Sequence, residues 1–184
     1  MVDEGALVAA ARAGERGAFL RLAGLWQARV RAVAGGLVGS WRGEELARAA
    51  VTEAWRWLPT MAAGASFGPW LLGILHELAT GGAARARAQP PAPATEPADG
   101  WTRTRPPFDA DELPEPPAVL GLRAALADLD APQREAFLLA GVAGLGYDDV
   151  AAVVGRSLNE VSDDVYRARV RLAAVLADST GGSR

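Results

Sequence analysis

Between Arg156 and Arg167 the chain interleaves residues able to read nucleic-acid bases with residues suited only to burial. Val161, Val165, Ala168 and Leu172 recur at helical spacing and make an apolar stripe. The other side of the same helix then carries Asn159, Glu160, Ser162, Asp163, Tyr166 and Arg167. Asparagine pairs with the adenine edge and arginine with the guanine edge, while a carboxylate accepts from cytosine N4, so the set has the chemistry for major-groove readout. A solvated helix face has the same composition, and both readings stand at this point.

Catalytic chemistry has no comparable set. The chain lacks cysteine and has a single histidine, His76, so neither a thiolate zinc site nor an imidazole-rich one can be built. No nucleophile paired with a base, no phosphate loop and no metal cluster is recognisable. The expectation is a protein that is not an enzyme and takes no cofactor or metal. Apolar runs such as Trp70 to Leu75 are too short to span a bilayer. Met1 to Glu4 show no basic, cleavable leader. A soluble, cytoplasmic protein without membrane partners is expected.

The elements that would position these residues are helical throughout. Phe19, Leu22, Trp26, Val30, Val33 and Leu37 recur at helical spacing, as do Leu46, Ala50, Val51, Ala54 and Leu58. After Pro59, Ser66 can cap a helix with Pro69 in its first turn and Trp70, Ile74, Leu75 and Leu78 on one face, ended by Gly81 and Gly82. A short opening helix around Leu7 and Val8 completes a bundle of about four helices. Nine of the twelve prolines fall between Gln89 and Pro117, a composition that favours extended chain. Beyond it, a helix spans Leu120 to Leu129, and Asp130 with Pro132 opens another carrying Phe137, Leu138 and Val142. Tyr147 to Val154 then stops at Gly155, and Ser157 with Glu160 makes a capping box for a helix from Leu158 to about Leu176. Helix, tight turn, capped longer helix is the helix-turn-helix pattern. The expected architecture is all-α: domain 1–88, linker 89–117, domain 118–178 and a disordered tail 179–184, with a small core in each domain.

Charge divides unevenly between these parts. Residues 1–88 carry ten arginines against seven acids, and residues 119–178 carry six against nine. An acidic second domain weighs against strong DNA binding on its own, because phosphate contacts require basic residues. The linker adds Glu96, Asp99, Asp109, Asp111, Glu112 and Glu115 against Arg103 and Arg105.

Several pieces in this order and spacing resemble the extracytoplasmic-function sigma factors. They are Leu7-Val8 ahead of Gly14-Glu15-Arg16-Gly17-Ala18-Phe19, Glu44-Glu45-Leu46 ahead of Trp55, and Ser66-Phe67-Gly68-Pro69-Trp70-Leu71, which is similar to the family's S-F-x-x-W-L signature. In the second half they are Leu126-Ala127-Asp128-Leu129, Pro132-Gln133-Arg134-Glu135, Gly144-Leu145-Gly146-Tyr147 and Tyr166 to Leu172. The resemblance implies a factor that binds core RNA polymerase through Glu44, Glu45, Leu46 and Arg48. It implies promoter DNA contacts at Trp41, Ser66, His76, Arg85, Arg87, Arg156, Asn159, Ser162, Asp163, Tyr166 and Arg167, and it admits an anti-sigma protein as a further partner. Glu44 and Glu45 are read alternatively as charges favouring a helix N-terminus.

Departures from the family pattern fall at working positions. Arg48 replaces the glutamine of the polymerase-docking helix, and Gly73, His76 and Glu77 replace the basic residues and asparagine after W-L. Ser162, Asp163 and Asp164 stand where lysine, serine and arginine are common, so two carboxylates are expected to face the phosphate backbone. A sigma-like interaction protein that keeps the fold but recognises promoters weakly is therefore the alternative function.

Overall fold

The computed structural model describes residues 3–81 and 117–181. The linker and with it Arg85, Arg87, Trp101 and Phe108 lie outside these residues, as do positions 182–184. All regular structure among the described residues is helical.

The first domain contains α1 (Glu4–Arg12), α2 (Arg16–Val38), α3 (Ser40–Trp57) and α4 (Phe67–Ala79), with a 3-10 turn at Leu58–Thr60. The Asp3 carboxylate caps α1 by accepting from the Ala6 N–H at 3.2 Å. Helices α2 and α3 are joined by Gly39 alone, at φ 86° and ψ 159°, a backbone region essentially restricted to glycine. Their backbones then touch: a Cβ placed on Gly43 would lie 2.6 Å from the Gly35 Cα. The cap of α4 differs from the expectation. Ser66 makes no side-chain cap bond; instead Glu4, reaching across from α1, accepts from the Phe67 N–H at 3.3 Å. Phe19 packs between Trp55, 5.0 Å away, and Phe67, 6.0 Å away and edge-on, a geometry aromatic rings favour.

The second domain contains α5 (Pro117–Ala127), α6 (Ala131–Phe137), α7 (Tyr147–Val154) and α8 (Leu158–Gly181). Pro117 opens α5 rather than ending the linker, since its fixed φ suits the first helical position. Asp130 precedes α6 without a side-chain cap bond. Helix α6 widens into a π turn over Leu138–Val142, closed by Ala143 N–H donating to the Leu138 carbonyl at 2.9 Å. Helix α8 extends past Leu176 into the expected tail, because no proline or glycine interrupts the sequence before Gly181.

The expectation of one core per domain is corrected by the packing. A single continuous core joins Phe19, Leu22, Val33, Phe67, Leu71 and Leu75 of the first domain to Leu138, Leu139, Leu145, Val150, Val161 and Val165 of the second. A smaller cluster of Ala125, Leu129, Ala168 and Leu172 lies beneath α5 and α8. Helix α7 packs on α4, and the π turn and α6 pack on α2. The wide π turn brings Leu138 and Leu139 into that seam, both buried. Leu138 fills the notch left by a missing side chain at Gly36, where an added Cβ would meet its Cδ2 at 2.6 Å.

Candidate nucleic-acid interface

Helix α7 ends at Gly155, which adopts the left-handed conformation at φ 66° and ψ 34° and so turns the chain without a Cβ clash. The capping box then starts α8: the Ser157 N–H donates to Glu160 Oε2 at 2.9 Å, the Ser157 hydroxyl donates to the same oxygen at 2.6 Å, and the Glu160 N–H donates back to Ser157 Oγ at 3.3 Å. Those hydrogen bonds from Ser157 hold the Glu160 carboxyl below its ordinary pKa. Val161, Val165, Ala168 and Leu172 are buried. Asn159, Ser162, Asp163, Tyr166 and Arg167 are all exposed on the other side, Tyr166 to 69%. The helix-turn-helix thus presents the side chains that its spacing predicts.

Asp164 does not join them. It is buried at 7% exposure and ion-paired with Arg156. The expectation that two carboxylates face phosphate reduces to one, Asp163. Arg156, a candidate DNA contact, is occupied in holding the start of α8 to its own second turn.

In the first domain, Ser66 is exposed ahead of α4, and Trp41 is 81% exposed near the start of α3. His76 is turned elsewhere. Its Nδ1 meets Glu135 Oε1 of α6 at 2.5 Å, with both side chains largely covered. The hydrogen bond to Glu135 raises the His76 pKa, burial opposes that shift, and the charges of Glu135 and Glu77 reinforce it. Glu135 is 59 residues away along the chain, and no local spacing signals the pairing.

The candidate polymerase-binding residues sit inside α3, beyond its first turn, which contains no acid. The helix-terminus reading of Glu44 and Glu45 is therefore set aside. Glu44 pairs with Arg31 of α2 at 2.9 Å and lies 3.8 Å from Arg48, while Glu45 is exposed and Leu46 half-buried. Glu44 also borders a groove of about 760 Å³ whose opposite wall is Arg123, Leu126 and Arg134 of the second domain.

A family model described as sigma-70, region 4, matches residues 120–172. Over 54 residues the chain is 44% identical to the ECF RNA polymerase sigma factor EcfG of Rhodopseudomonas palustris (strain TIE-1), a match covering 29% of this chain and 30% of that protein. The chain thus spans under a third of that relative's length in this match. Two solved structures share the fold over most of their length. One is CnrH in complex with the cytosolic domain of CnrY, at TM-score 0.67 and 21% identity over 95% of this chain and 97% of that one. The other is the sigma factor RpoE in complex with the anti-sigma factor NepR from Bartonella quintana, at TM-score 0.55 and 24% identity over 84% and 91%.

Proposed function

We propose that the chain is a sigma factor of the extracytoplasmic-function type that directs core RNA polymerase to promoters and helps to open them, a reading supported by the region 4 match and by the 44% identity to EcfG over 54 residues. The observation that carries this reading is the capped α8 with Asn159, Ser162, Asp163, Tyr166 and Arg167 exposed on one side. In the major groove Asn159 and Arg167 supply base-edge donors, Ser162 and Tyr166 supply hydroxyls, and Asp163 accepts from cytosine N4. Arg156 acts there by fixing the helix rather than by touching phosphate.

In the first domain Glu45, Leu46 and the Glu44–Arg48 pair form the polymerase-docking face of α3. Trp41 and Ser66 lie exposed for the opened strand, where an aromatic ring can stack on a base. Promoter opening needs no catalytic group of the chain's own; it draws on captured bases and polymerase contacts. The chain acts in the cytoplasm on this reading. CnrH is in complex with the cytosolic domain of CnrY, and the sigma factor RpoE with the anti-sigma factor NepR, which supports an anti-sigma protein as a partner here.

A second reading, a sigma-like regulator that binds polymerase without choosing promoters, is favoured by Asp163 on the reading face and by the engagement of His76 with Glu135. Reconstitution of the full chain with core polymerase separates the two. Co-migration with promoter-specific transcripts from genomic DNA supports the sigma factor. Co-migration without transcripts supports the regulator, and absence of co-migration overturns both.

A further inference from the structure

We propose that the groove between α2 and the α5–α6 pair is a binding site for a small diphosphate-bearing anion, held by Arg31, Arg123 and Arg134. The inference goes beyond promoter recognition and does not rest on the function proposed above.

Charge is sorted around this groove against the trend of its own domain. Residues 119–178 hold six arginines against nine acids, yet Arg123 and Arg134, the sole basic residues of α5 and α6, both line the groove. The acids of the same stretch, Asp128, Asp130 and Glu135, stay out of it, and Glu135 is held by His76. Arg31 faces them from α2, and Glu44 is the single carboxylate of the lining among the described residues. Arg31 matches that carboxylate through Nε at 2.9 Å and Nη2 at 3.1 Å. The surplus of positive charge therefore falls on Arg123 and Arg134.

Arg134 is steered by Nη1 donating to the Ala127 carbonyl at 3.2 Å, a neutral acceptor that orients the guanidinium without cancelling its charge. Its Nε is buried with no acceptor, an unmet donor that an oxyanion drawn in beside it satisfies. Guanidinium forks pair with phosphate oxygens two bonds at a time, and two such forks suit the two phosphoryl groups of a diphosphate. The groove holds about 760 Å³, inside the range of about 300–1,000 Å³ usual for small-molecule sites. Leu126 and Val142 line it beside the arginines and offer an apolar wall to the base of a nucleotide. The diphosphate can thus arrive free or as the tail of a nucleotide.

Isothermal titration calorimetry of the full chain at low salt, with pyrophosphate and separately with GDP, tests the site. Each is expected to bind once per chain, and Arg123→Gln and Arg134→Gln are each expected to weaken binding about tenfold or more. Arg21→Gln, exposed on α2 outside the groove, is expected to bind as the natural chain does. Circular dichroism shows that each variant is folded. Tighter binding of GDP than of pyrophosphate assigns a nucleotide, and equal affinity assigns the free anion. Absence of binding by the natural chain overturns the proposal, as does an equal loss in all three variants, which marks diffuse charge. A single-stranded oligonucleotide that displaces pyrophosphate, and is itself weakened by the same two substitutions, assigns the groove to nucleic acid and overturns the small-molecule site. Polymerase enters none of these readouts, so failure here leaves the sigma-factor reading standing.

Discussion

The neighbouring carboxylates of α8 meet different surroundings, since Asp163 faces solvent and Asp164 is buried against Arg156. Only Asp163 can repel a phosphate backbone. Asp163→Arg is expected to strengthen binding of the full chain to nonspecific duplex DNA and to steepen its salt dependence by about one released counterion, read from fluorescence anisotropy at several salt concentrations. If promoter-specific transcripts fall in the same variant, Asp163 contributes to base readout. His76 yields a second prediction because it is the chain's sole imidazole. Its pKa lies above the ordinary value of 6.5 through the bond to Glu135. A raised folded value means that the pair's stabilisation is complete below the ordinary histidine value and is lost as pH rises through the raised value. The single imidazole signal in a proton NMR titration should therefore move above 6.5 in the natural chain and fall in Glu135→Ala, where burial is opposed by Glu77 alone. An unchanged titration in that variant would remove the pair from any account of the seam.

Helix α3 owes its position to Gly39, the single residue between it and α2. Gly39→Ala forces a Cβ into φ 86° and ψ 159° and is expected to cost about 1–3 kcal/mol, measured as a lower urea midpoint with unchanged helical content. At this scale much of the molecule is legible in sequence. The stripe at Val161, Val165, Ala168 and Leu172, the Ser157–Glu160 box and the Gly155 turn are local patterns, and each appears where its spacing puts it. Cap assignments fare worse when the partner is remote: nothing near Ser66 indicates that Glu4 satisfies the start of α4. The same holds for the candidate site. Exposure of Asn159, Tyr166 and Arg167 follows from periodicity, whereas the capture of Asp164 by Arg156 and of His76 by Glu135 depends on how elements meet. Pairwise contacts across a fold leave no trace in spacing.

For the whole molecule, the continuous core implies joint stability. Five of the six tryptophans lie in residues 1–88, so their fluorescence reports the first domain. Leu138→Ala lies in the second domain, yet it is expected to lower the tryptophan-detected urea midpoint by the equivalent of about 2–5 kcal/mol, as for other buried leucines. A midpoint that stays fixed would mean that the domains unfold independently. The notch at Gly36 also bears on heredity and on engineering. Two helical domains joined by a linker invite the exchange of one second domain for another. In this chain a recombinant that carries residues 117–181 onto a different first domain arrives with a leucine wedge and a glutamate that need a glycine and a histidine opposite. Positions 36, 76, 135 and 138 would have to be inherited together, and a crossover in the linker separates them every time.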